Sequence, residues 1–147
     1  MKRAHSLSGE EGSTLPLIIF YGFLSMVLVL LVIAATSLYL ERKRLFTLAD
    51  GAALVGAEAF DLEQVTREDG VVELHLQTAD VASAVSDYVE QTPGVDFDSL
   101  RIENAESVDG RSATVALSAA WKPPVLTLVL PEGVRIEVTA VARSVFE

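Results

Sequence analysis

The chain has no cysteine, so disulfide staples, thiolate zinc sites and thiol nucleophiles are all excluded. Histidine is scarce at two residues, tryptophan scarcer at one, and basic residues are outnumbered, 11 Lys plus Arg against 21 Asp plus Glu. The resulting net charge of −10 repels a phosphate backbone and removes nucleic acid from the expected partners. At 147 residues a second domain would be too small to bury a core of its own, so one compact domain is the default. Half of the residues are nevertheless apolar and the mean hydropathy is positive. In so acidic a chain, that combination requires the apolar residues to be gathered in one stretch.

They are gathered between Leu15 and Leu40, 26 residues without a charged side chain. As a helix this run rises about 39 Å, more than the roughly 30 Å hydrocarbon core of a bilayer, which predicts a tilted transmembrane span. Pro16 falls in the first turn, where its missing N–H costs nothing. Ser25, Thr36 and Ser37 can return their hydroxyls to the carbonyl one turn back, and Tyr21 and Tyr39 stand toward the two ends as interfacial rings do. A secretory signal has an apolar region of only about 7–15 residues, which argues for an uncleaved anchor. Orientation is contested by charge: Lys2 and Arg3, offset by Glu10 and Glu11, precede the span, whereas Arg42, Lys43 and Arg44 follow it. By the positive-inside rule this leans toward a cytoplasmic C-terminus, unless the three basic residues bind lipid headgroups.

From Leu45 onward the chain carries 6 basic and 18 acidic residues, a soluble composition. No linker separates it from the span. Helical spacing continues through Leu45, Leu48, Ala49, Ala52, Ala53, Gly56 and Ala57, so one long helix is expected to leave the lipid and end under a globular head. The small residues Ala49, Ala52, Ala53, Gly56 and Ala57 let whatever packs on them come close. The expected organisation is a tail over residues 1–14, a span over 15–40, a helical continuation over 41–60 and a head over 61–147.

Four stretches of period two follow. Val72, Leu74 and Leu76 alternate with polar residues, as do Leu100 and Ile102. Asp109-Gly110 marks a hairpin turn into Ala113, Val115, Leu117, Ala119 and Trp121, and Val134, Ile136, Val138, Ala140 and Ala142 form the last inward face. Between the first two stretches Thr78 reads as an N-cap, Val81, Val85, Tyr88 and Val89 as an apolar helical stripe, and Pro93-Gly94 as its end. The uncharged segment Val125–Leu130 is fenced by Pro123, Pro124 and Pro131 and reads as an edge element or packed loop. The expected fold is α+β: a long N-terminal helix, transmembrane in its first half, packed on a small, mostly antiparallel four-stranded sheet with one additional helix.

Chemistry finds little to stand on. His5 and His75 have no partner at metal or catalytic spacing, and no phosphate loop or nucleophile motif occurs. Asp96 with Asp98 and Glu68 with Asp69 are pairs of carboxylates that solvated acidic surface explains, and Trp121 continues the apolar face of its strand. No catalytic residue, metal or cofactor is expected, and no small-molecule substrate.

Three features of the first 60 residues resemble the TadE/TadG type of protein of the bacterial Tad (Flp, tight adherence) pilus systems. They are Glu11-Gly12 before the apolar run, the single span followed by Arg42-Lys43-Arg44, and the alanine-rich stretch Leu48–Ala57. The resemblance implies a minor pilin, a pseudopilin or a TadG-like anchor, with a cytoplasmic N-terminus, an extracytoplasmic head, and membrane lipid and other pilus-assembly proteins as partners. It also implies a candidate processing site between Gly12 and Ser13, for a prepilin peptidase that cuts after a glycine. The family's assembly glutamate, five residues beyond the cut, is replaced here by Leu17, which favours a member that stays in the membrane. Lateral helix packing through Ala49 to Ala57 is the expected mechanism, so that leucine at position 53 or 56 would disrupt assembly and spare insertion. The alternative is a membrane-tethered module that binds a ligand or a cell-envelope polymer and carries a groove for it.

Overall fold

The computed structural model describes residues 14–60, 66–68, 71–73, 76–92, 96–123 and 132–143. In chain order the elements are α1 (Leu15–Ala57), β1 (Thr66–Glu68), β2 (Val71–Glu73), α2 (Thr78–Gln91), β3 (Arg101–Glu106), β4 (Ser112–Trp121) and β5 (Val134–Arg143). The chain divides into two units, Met1–Ile33 and Ala34–Glu147. The first is the apolar start of α1. The second holds the rest of α1 and every described strand, and it includes the last seven residues of the apolar run.

α1 is one helix of 43 residues, as the unbroken helical spacing predicts, with Pro16 in its first turn. From Ala34 onward its partly and fully buried positions, among them Ser37, Leu38, Glu41, Leu45, Leu48 and Ala49, recur every three or four residues. That is the spacing of one face. This face enters a core with Val81 and Val85 of α2, with Ala113, Val115, Leu117 and Ala119 of β4, and with Val138, Ala140 and Ala142 of β5. Alanine is the commonest residue on both surfaces.

The sheet corrects the expectation of four strands. β3, β4 and β5 form an antiparallel sheet of three, in the order β3-β4-β5, while among the described residues β1 and β2 pair only with each other. Only two residues of sequence separate β1 from β2, so pairing with each other costs far less loop-closure entropy than joining a distant sheet. Leu76 still enters the core, but beyond β2, with its N–H donating to the Gly110 carbonyl at 2.8 Å. The β4 and β5 faces follow the sequence alternation, with Ala113 facing Ala142, Val115 facing Ala140 and Leu117 facing Val138.

β3 departs from plain alternation. Its register shifts between Ile102 and Asn104, so Glu103 is the extra residue of a bulge. Leu100 and Ala105 both pack on the core, five positions apart. An odd spacing cannot keep two side chains on one face of a regular strand, and the bulge absorbs the extra residue.

Thr78 is not the N-cap but the first residue of α2; Gln77 precedes it in extended conformation. The Thr78 hydroxyl instead donates to the Ser107 carbonyl at 3.2 Å and accepts from the Ser107 N–H at 3.3 Å, tying α2 to the end of β3. α2 ends at Gln91, ahead of Pro93-Gly94. The Pro93-Gly94 pair, the segment 124–131, Leu74 and both histidines lie outside the described residues.

Candidate functional site

The two parts of α1 present different surfaces. From Leu15 to Ile33 every residue is exposed except the half-buried Leu30, including Phe20 at 60% and Leu28 at 55%. This helix is long and apolar enough to cross a membrane, and its most apolar window is wholly exposed. Burying such residues elsewhere than in water is worth roughly 1.5–3 kcal/mol each, so an apolar solvent around this surface is the arrangement that the side chains favour. Gly22, in the middle of it, has open space where a side chain would be.

The five small residues singled out from the sequence sit in the other part. Ala49, Ala52 and Ala53 are fully buried, Ala57 nearly so, and Gly56 is buried among them. A Cβ on Gly56 would lie 3.2 Å from both Val81 Cγ1 and Val85 Cγ2, and 3.3 Å from Ala113 Cβ. The close approach that these residues permit is therefore to α2 and β4 of the same chain. Gly51, one turn earlier, makes room in the same way for the ring of Tyr88, whose Cζ would stand 3.0 Å from an added Cβ.

Arg42, Lys43 and Arg44 are all exposed, on the turn just beyond the apolar run. Arg44 borders an open groove of about 350 Å³ with Glu41, Thr47, Leu48, Tyr88, Asp96 and Phe97. Its lining mixes charged, hydroxyl and apolar side chains. Asp96 and Asp98 are exposed, and Asp98 forms an ion pair with Lys122 at 3.1 Å. Among the described residues no three histidines, aspartates or glutamates gather as metal ligands would.

Three polar arrangements escaped the sequence reading. The indole N–H of Trp121, at the end of β4, donates to Ser37 Oγ at 3.3 Å, across 84 positions of sequence. On the face of β4 away from α1, the fully buried Ser118 donates to Glu103 at 2.5 Å and accepts from Arg135, which also pairs with Glu103 at 3.5 Å, so one clasp joins all three strands. In the turn before β4, Asp109 accepts from the N–H groups of Arg111 (2.9 Å) and Ser112 (2.7 Å) and from the Ser112 hydroxyl (2.5 Å). These three bonds, the Ser112 hydroxyl first among them, favour the charged carboxylate and lower its pKa from 3.8 to about 2. Gly110 follows with φ +68°, the freedom for which the Asp109-Gly110 signal stands.

Gly12 and Ser13 lie outside the described residues. Residues 12–59 match the family model described as "Putative Flp pilus-assembly TadE/G-like". The match covers about one third of the chain: the apolar run, the basic turn and the alanine stripe, ending where α1 ends. No curated protein and no solved structure matches the chain.

Proposed function

We propose that this chain is a non-catalytic, single-pass membrane component of a Tad-type pilus-assembly system, with its N-terminus in the cytoplasm and its head outside. The observation that carries the reading is that the family likeness falls on the apolar run and the alanine stripe together, the two features that organise α1. Support for the anchor comes from length: Leu15–Ile33, the part outside the head's compact unit, rises about 28 Å and fills a hydrocarbon core of about 30 Å without much tilt. The exposed basic turn beyond it supplies headgroup contacts, which accounts for its place outside the membrane despite the charge rule.

In this reading the chain works by contact. Its partners are membrane lipid and other pilus-assembly proteins, and it uses no cofactor or small substrate. Because the alanine stripe is occupied by the chain's own head, lateral packing against neighbouring helices falls to the exposed surfaces of α1: the open side of Gly22 in the span, and Phe46 (48% exposed) and Leu54 (52%) beyond it. Gly12-Ser13 stays the candidate processing site, and Leu17 in place of the family's glutamate supports an anchor or assembly factor over a polymerising subunit.

Deleting the gene in its own host is the direct test. The expected result is loss of surface pili, restored by the wild-type chain and not by a Gly22→Leu variant that inserts normally. Undiminished pili in the deletion strain would remove the assembly reading.

A further inference from the structure

Two contacts inside the head fix how β4 lies on α1. Near the end of the helix Gly56 meets Ala113, and 19 positions earlier Ser37 receives the hydrogen bond of Trp121. Nineteen residues of helix rise about 28 Å. From Ala113 to Trp121, eight residues of strand advance about 27 Å. The two lengths agree, so β4 runs alongside the helix, antiparallel to it, and Trp121 stands at the level of Ser37.

That level is defined from the other direction too. Ser37 belongs to the uncharged run, three residues before its end at Leu40, beside the interfacial ring of Tyr39. We propose that the Trp121 end of the sheet rests on the membrane surface, so that the chain touches the bilayer twice, through its span and through the foot of its head.

The residues at that end suit an interface. A tryptophan ring is apolar with one polar corner, and here the corner is satisfied by Ser37, so the ring can meet the acyl boundary without leaving an unpaired N–H. Its cross-strand partner Val134 is 47% exposed, and Tyr39 and Leu40 on the helix are 66% and 53% exposed. Lys122 and Arg135 stand there against Asp98, Glu103 and Glu132, a much smaller acidic excess than that of the whole segment from Leu45, with its 6 basic and 18 acidic residues. The foot is thus a part of the head that anionic lipid repels only weakly. Arg42, Lys43 and Arg44 stand five to seven residues beyond Ser37, about 8–10 Å farther out, in reach of headgroup phosphates.

The inference rests on the span reading, and one experiment separates the two. Trp121 is the chain's single tryptophan, so its emission needs no labelling. The full chain is reconstituted in phosphatidylcholine and phosphatidylglycerol vesicles, washed with alkaline carbonate, and compared in lipids brominated near the headgroup end of the acyl chain or near its methyl end. The expected result is retention in the vesicles, loss of most of the emission with bromine near the headgroup end, a smaller loss with bromine at the methyl end, and protection from aqueous iodide. A double variant, Trp121→Phe with Val108→Trp, moves the probe to the exposed turn at the far end of β4, about 30 Å away, and is expected to be quenched by iodide and not by bromine. A retained chain whose Trp121 responds to iodide alone would overturn this inference and leave the span standing. Equal bromine quenching of both probes would also overturn the inference, since neither end of β4 would then be singled out by the lipid. Extraction of the chain by carbonate would overturn span and foot together.

Discussion

The two parts of α1 are both apolar, both helical and covalently continuous, yet one hides almost nothing and the other hides a complete face. From Leu15 to Ile33, leucine, isoleucine, valine and phenylalanine surround the helix on all sides, and no polar face opposes an apolar one. From Ala34 to Ala57, charged and large residues such as Arg42, Phe46, Asp50 and Leu54 face outward, while Leu45, Leu48 and the alanines face in. The difference lies in pattern: the first part is apolar on every side, whereas the second sets charged residues against a face of leucine, alanine and glycine that its own head covers. A fluid solvent accepts any shape, whereas the buried face takes leucine only at Leu45 and Leu48 and small residues from Ala49 to Ala57.

The comparison can be broken most severely at Gly56. Leucine there adds four carbons where a single Cβ already crowds Val81, Val85 and Ala113, so Gly56→Leu is expected to cost well above the usual overpacking range of about 1–3 kcal/mol and to abolish the head's cooperative thermal transition. Membrane insertion should be unchanged, which moves the expected damage of this substitution from assembly to folding. Truncation sharpens the same contrast. Leu45→Ala, at a fully buried position, should destabilise the head by about 3 kcal/mol, while Leu28→Ala in the span should leave its melting temperature where it was.

A smaller effect is set by pH. The folded pKa of Asp109 is held at about 2, below its ordinary 3.8, so the unfolded chain binds this proton first as the pH falls. The stabilising contribution is therefore complete above about pH 4 and is lost between about 4 and 2. Melting temperatures of the head should fall over that window and fall less in Asp109→Asn; an identical slope in the variant would show that the turn's three hydrogen bonds carry no pH dependence. The smallest effect belongs to Gly51→Ala. The added methyl displaces only the tip of Tyr88, and the gain in helix propensity, up to about 1 kcal/mol, offsets it, so chemical denaturation should find the variant near wild type.

Much of this was legible because it is periodic. The 26-residue uncharged run, the helical spacing to Ala57 and the alternation of Ala113 to Ala119 and of Val138 to Ala142 each announce their element and the face that it buries. What escaped depends on pairing, which has no local signature. Val72 alternates equally well whether its strand joins a distant sheet or folds back on Thr66–Glu68, and only the short Asp69-Gly70 connection favours the second. Leu100 and Ala105 betray a bulge only once both are known to face inward. The alanine stripe shows that something comes close, but not that the partner is α2 and β4 of the same chain. The Trp121–Ser37 bond joins a strand end to a residue that reads, by composition, as lipid-facing.

The account turns on Leu15–Ile33 lying in the membrane with the head on its outer side, and the absence of cysteine makes that directly measurable. Single variants Val108→Cys in the exposed turn and Leu28→Cys in the apolar part would be treated in spheroplasts with a membrane-impermeant maleimide. The account predicts that Val108→Cys reacts before lysis and that Leu28→Cys stays unmodified until detergent is added. Labelling of Val108→Cys only after lysis, or free labelling of Leu28→Cys in intact membranes, would contradict it.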